Sequence, residues 1–124
     1  MVDTLGLLLA VTVHSAGIQD RVGARSVLLR LHRQFPRLRL VWGDGGYAGK
    51  LVSWTEAFFG WTLEITKRSD ARKFTVIPKR WIVERTFGWW TFYRRLAKDY
   101  EHSPQTAETI IIITMITIMA KRLA

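Results

Sequence analysis

The stretch Leu38-Arg39-Leu40-Val41-Trp42-Gly43-Asp44-Gly45-Gly46 decides how this chain is read. Leu38 to Trp42 is a short apolar run of strand length, and Gly43 to Gly46 breaks it tightly at its end. Helical patterns stand on both sides of it. Upstream, Asp20 can cap a helix running to about Gln34, with Ala24, Val27, Leu28 and Leu31 on one face, and Pro36 stops it. Downstream, Leu51, Trp54 and Phe58 mark a second amphipathic helix, closed by Gly60. Trp61, Leu63 and Ile65 then alternate with Thr62, Glu64 and Thr66, the period of a half-buried strand. Strands alternating with helices predict an α/β domain with a largely parallel sheet flanked by helices.

Outside this centre, the pattern predicts a strand over Leu5 to Val13, bounded by Gly6 and Gly17. After Pro78 a long helix is expected from about Trp81 to Leu96. Ser103 and Pro104 suit the start of a last helix that ends on Lys121 and Arg122, where cations favour the helix dipole. A buried strand at Leu5 to Val13 needs neighbours on both sides, and only four residues precede it. The opening is therefore expected to be a cut through a sheet.

Composition narrows the partner. Nineteen basic side chains against ten acidic ones leave +9, which favours an anionic partner, nucleic acid first, over a merely solvating surface. From Lys67 to Lys98 there are ten basic residues against Asp70 and Glu84, a local +8, with Trp81, Trp89, Trp90, Phe92 and Tyr93 interleaved. Concentrated charge holds phosphates and exposed aromatics stack on unpaired bases, although at least half of these rings are expected in the core. The chain has no cysteine, which excludes disulfides and thiolate metal sites. Ile110 to Ala120 is too short for the ~20 residues of a membrane span, so a cytoplasmic, nucleoid-associated protein with no membrane partner is expected.

Two carboxylates stand out. Asp44 lies just past a strand's C-terminal end between glycines, where open α/β sheets place ligands; an ordinary Asp-Gly turn is the plainer reading. Glu84 shares a helix face with Arg80 and Gly88, and the plainer reading is an Arg80–Glu84 surface pair worth ~0.3–0.5 kcal/mol. Arg85 falls on another face with Trp81, Trp89 and Phe92. His14, His32 and His102 have no ligand spacing and read as structural or surface residues.

Val41-Trp42-Gly43-Asp44-Gly45-Gly46-Tyr47, Arg80-Trp81-Ile82-Val83-Glu84-Arg85-Thr86-Phe87 and Arg94-Arg95-Leu96-Ala97-Lys98-Asp99-Tyr100-Glu101, in that order, resemble bacterial insertion-sequence transposases. These are the DDE enzymes with a ribonuclease H-like catalytic domain, and the resemblance covers essentially all of residues 1–124 as the C-terminal part of that domain. It implies metal-dependent cleavage of transposon DNA ends and strand transfer, with three carboxylates holding two Mg²⁺ (or Mn²⁺) ions. Asp44 matches the second Asp and Glu84 the Glu, 84 − 44 = 40 residues apart. Arg80 and Glu84 fit the family's Arg-three-residues-Glu pattern. Ile77 and Thr91 stand where that pattern has Tyr and a basic residue, so Arg94 or Arg95 is the expected substitute.

DNA contacts are expected from Lys79, Arg80, Arg85, Arg94 and Arg95 of the basic stretch. The family's first Asp lies on an earlier strand, and Asp3 sits in a turn position instead. An incomplete ribonuclease H-like domain is thus expected, without its first strand or first Asp, inactive alone and with an upstream fragment or a second transposase copy as partner. The alternative is a non-catalytic DNA-binding or transposase-interacting remnant. Whether the chain is a decayed element or a downstream reading frame stays open.

Overall fold

Gly60 and Pro36 punctuate the fold as local chemistry requires. In the computed structural model, which describes residues 1–66 and 79–124, helix α1 (Asp20–Gln34) ends before Pro36. Helix α2 (Lys50–Phe59) ends on Gly60, which takes the left-handed conformation that glycine adopts without strain. Gln19 occupies the N-cap of α1, so Asp20 is its first helical residue and faces the positive end of the dipole from inside the first turn.

Between these helices runs strand β1 (Leu40–Gly43), paired in parallel with β2 (Thr62–Ile65) in the register Leu40 to Thr62 through Gly43 to Ile65. The expected parallel sheet is present as this pair; the described residues contain no third strand, and the missing first strand remains an expectation. Trp61 is 1 % exposed and Leu31 fully buried, and with Leu28, Val41, Leu51 and Leu63 they form the core of the unit Ala16–Trp81. His32 packs its ring on Phe59 and Trp61, with centroids 4.8 and 5.5 Å away, a structural role.

The opening is not a strand. Asp3 accepts the N–H groups of Leu5 and Leu7, both at 2.8 Å, and Gly6 turns at φ +82°. Those N–H groups are then spent on a turn instead of a ladder. Leu8 returns antiparallel to Val2 in a single bridge, and Leu9 N–H reaches the Met1 carbonyl at 3.1 Å. The expected strand over Leu5 to Val13 is therefore corrected, while the turn position of Asp3 is observed. Gly6 lies under helix α3 (Arg80–Thr91): the buried Thr86 hydroxyl is 2.7 Å from its carbonyl, and a side chain on Gly6 would meet Thr86 and Trp89.

Helix α3 also stops earlier than expected, at Thr91 instead of Leu96. The Phe92 and Tyr93 N–H groups bond three residues back, to Trp89 and Trp90, tightening the last turn. Thr91 ties its hydroxyl to the Gly88 carbonyl at 2.7 Å. Phe92 is 86 % exposed and lies beyond the end of α3, so it does not share a helical face with Arg85. Helix α4 (Pro104–Leu123) forms despite its Ile/Thr content, burying Thr114 and Met115. Thr109 and Thr117 return their hydroxyls to carbonyls four residues back. Glu108 accepts the Val13 N–H at 2.9 Å, which joins α4 to the opening segment within the unit of Met1–Ser15 and Ile82–Ala124.

Candidate active site

The end of β1 is built to present one carboxylate. Thr66 bonds the Gly43 carbonyl twice, through its N–H at 2.8 Å and its hydroxyl at 3.1 Å. One residue earlier, the Trp42 indole N–H donates to Glu64 across the strand pair at 2.9 Å. The strand end is thereby held just where the chain turns. Asp44 leaves it exposed, one carboxylate oxygen accepting the Gly46 N–H at 2.9 Å and capping the 3₁₀ turn Gly45–Tyr47. An Asx-type turn and an exposed carboxylate thus coexist in one residue, the turn's N–H bonding to one of its two oxygens.

Tyr47 closes this turn; it ends the Val41–Tyr47 motif, but the sequence assigned its side chain no role. Burial pushes its phenol above the ordinary value, and the negative charges of Asp20 and Asp44 push it further in the same direction. Asp20, expected only as a helix cap, therefore acts electrostatically at the same turn as Asp44. The sequence signal for this pair was weak, because α1 and the turn are brought together only by packing.

Glu84 is exposed on α3 in the other unit. Among the expected DNA contacts, Lys79 places its ammonium 3.4 Å from the centre of the Trp42 ring, in a backbone conformation with φ +72°. Arg80 is exposed as the first residue of α3. Arg85 is half-buried, donating to the Leu5 carbonyl at 2.8 Å and lying 5.1 Å from the Trp89 ring. Arg122, from the far end of the chain, takes another position on Trp89 at 4.0 Å, a contact that sequence spacing cannot reveal. Arg94 is exposed in the turns after α3, whereas Arg95 forms an ion pair with Glu101. Lys67, Arg68, Arg72 and Lys73, which carry much of the local charge, lie outside the described residues, as does Ile77.

Exposed carboxylate oxygens suit a hard, oxygen-preferring divalent ion, which fits the donor chemistry of Asp44 and Glu84. Among the described residues no three His, Asp or Glu side chains gather into a metal site. No helix among them is long and apolar enough to cross a membrane.

No similar protein was found among curated proteins or solved structures. The family model of the transposase DDE domain, by contrast, matches residues 1–119. Transposases of this family act on DNA and generally use divalent metal ions, a chemistry that the carboxylates named above can serve. With nearly its whole length matched, the chain belongs to the transposase DDE domain family.

Proposed function

We propose that this chain supplies Asp44 and Glu84 as two of the three carboxylates of a metal-dependent DNA transposase, and that residues 1–124 alone do not cut DNA. The observation that carries this reading is Asp44: an exposed carboxylate at the C-terminal end of a parallel strand, with its turn held by Thr66 and Gly46. Glu84 joins it through the likeness of Arg80 and Glu84 to the family's Arg-three-residues-Glu pattern, 40 residues after Asp44. When bound, two Mg²⁺ or Mn²⁺ ions would activate the attacking oxygen and stabilise the leaving one during phosphoryl transfer. The protein's own part is to supply the two carboxylates, and to neutralise phosphates with Lys79, Arg80, Arg85, Arg94 and Arg95. Arg85 and Arg95 have part of their donor capacity engaged within the protein.

Inactivity of the isolated chain follows from Asp3, the one carboxylate before Asp20. One Asp3 oxygen accepts two backbone N–H groups in the turn of the opening segment, and Asp3 does not stand at the end of a strand as Asp44 does. A non-catalytic role, binding DNA or pairing with a complete transposase, is the second reading that this observation favours. The cytoplasm, at the nucleoid, is the corresponding location.

The test is strand cleavage of a terminal-repeat duplex with Mg²⁺ or Mn²⁺, by the chain alone and by the chain joined to an upstream segment that bears the first Asp. The bare chain is expected to leave DNA intact while folded by circular dichroism. The joined form is expected to cut it and to stop on Glu84→Gln. Cleavage by the bare chain that is lost on Glu84→Ala overturns the missing-Asp account and makes Asp3 the residue to test.

A further inference from the structure

Phe58 is 64 % exposed, although it sits beside the most aromatic part of the core. Its ring stacks on Trp54, one turn earlier on α2, with centroids 5.3 Å apart and planes inclined by 20°. Phe59 meets Phe58 edge-on at 5.3 Å, so Phe58 keeps an outer face in solvent. Core packing explains Phe59 and the buried Trp61, which stack on each other at 4.8 Å, but it leaves that outer face of Phe58 unused.

Cations line the same edge. Arg21 and Arg25 lie one turn apart on α1, both exposed. The Arg25 guanidinium is 5.1 Å from the centre of the Trp54 ring. An Arg21 guanidinium nitrogen comes to 3.8 Å of where a Cβ on Gly49 would lie, at the start of α2. From Arg21 to Gly43 the sequence holds six arginines and no acid. Glu56, the single acid of α2, is two residues from Phe58 and so points to the opposite side of the helix.

We propose that the α1–α2 edge formed by Arg21, Arg25, Trp54 and Phe58 is a docking track for an unpaired nucleic-acid strand. The track sits wholly within the unit Ala16–Trp81. Its occupant must offer planar apolar faces together with regularly spaced negative charge. An unpaired strand offers both, bases for Phe58 and phosphates for the arginines. A duplex hides its base faces, and an acidic peptide has the charge without the planes. The proposal extends the reading of DNA as partner and is independent of Asp44 and Glu84, so its failure leaves the carboxylate pair untouched.

Fluorescence anisotropy of the full chain with labelled oligo(dT), oligo(rU) and a duplex of equal length tests it. Phe58→Ala is expected to weaken oligo(dT) binding roughly tenfold, the loss of one stacked base, and to leave duplex binding unchanged. Phe58→Tyr, which keeps the ring, should restore it. Arg25→Gln should flatten the slope of log affinity against log salt by about 0.7, one phosphate of a single strand. A preference for oligo(dT) over oligo(rU) identifies the strand as DNA, and equal binding identifies unpaired nucleic acid in general; both support the track. The proposal falls if Phe58→Ala, folded by circular dichroism, binds oligo(dT) like the unaltered chain or loses oligo(dT) and duplex equally. It falls too if a polyglutamate peptide displaces oligo(dT) as well as unlabelled oligo(dT) does.

Discussion

Asp44 has two separable jobs, and two substitutions pull them apart. One oxygen accepts the Gly46 N–H at 2.9 Å and caps the turn; the negative charge is what a metal ion needs. Asp44→Asn keeps a carbonyl oxygen for the cap and removes the charge, whereas Asp44→Ala removes both. Losing a cap to alanine costs about 0.5–2 kcal/mol for a helix. The element capped here is a three-residue 3₁₀ turn on an exposed loop, so the lower half of that range applies, about 0.5–1 kcal/mol. For a chain of 124 residues that lowers the melting temperature by roughly 2–5 °C. The Asn variant should melt within about 0.5 kcal/mol of the unaltered chain. In the form joined to a first Asp, both variants should lose strand cleavage altogether. Thermal melts followed by circular dichroism, with cleavage of a terminal-repeat duplex, provide the two readouts. If the Asn variant still cuts DNA, Asp44 is an ordinary Asp-Gly turn and the carboxylate reading is wrong. If Asn and Ala melt equally low, the cap hydrogen bond is not what holds the turn.

Two further perturbations probe the packing around these elements. Gly6→Ala forces a side chain into a left-handed backbone, 2.9 Å from the Thr86 hydroxyl and 3.1 Å from the Trp89 ring. Backbone strain and overpacking together should cost about 2–4 kcal/mol, and a melt indistinguishable from that of the unaltered chain would refute the close approach. Tyr47 should titrate above the ordinary tyrosine value of 10.0, and Asp20→Asn should move it back toward that value. Because its folded pKa is raised, the stability it contributes is complete below the unfolded value and is lost as pH rises through the folded one. Ultraviolet titration of the three tyrosines, with Tyr47→Phe to assign the signal, checks this; an unshifted curve would show that Asp20 does not act on the turn.

Much of the candidate site was legible because its signals are local. The glycines around Asp44 announced a break at the end of a strand, and the break is the 3₁₀ turn that Asp44 caps. Glu84 and Arg80 stand on the predicted helix, in a motif whose residues are close in sequence. Tyr47 and Asp20 were not legible as partners. They are 27 residues apart (47 − 20), and only the packing of α1 beside the turn lets their charges meet. Arg85 was read as a phosphate contact from its charge, yet its bond to the Leu5 carbonyl spans 80 residues.

By itself the sequence determined α1, α2, β1, β2 and α4, because their periods are local and so are the boundary signals: Pro36 and Gly60 after α1 and α2, and the Ser103-Pro104 pair at the start of α4. It also determined the family, since matched motifs in order need no coordinates. Tertiary structure alone decided the opening segment and the end of α3. The apolar run from Leu5 to Val13 has the composition of a strand, but extended backbone is stable only when another strand takes up its N–H and C=O groups. Asp3 and the return to Met1 take those of this segment first, and α3 settles over Gly6. Likewise, nothing in Phe92 to Leu96 forbids a helix. Helix α3 nevertheless ends at Thr91 and leaves Phe92 86 % exposed, and burial is a property of the folded chain and not of the residue.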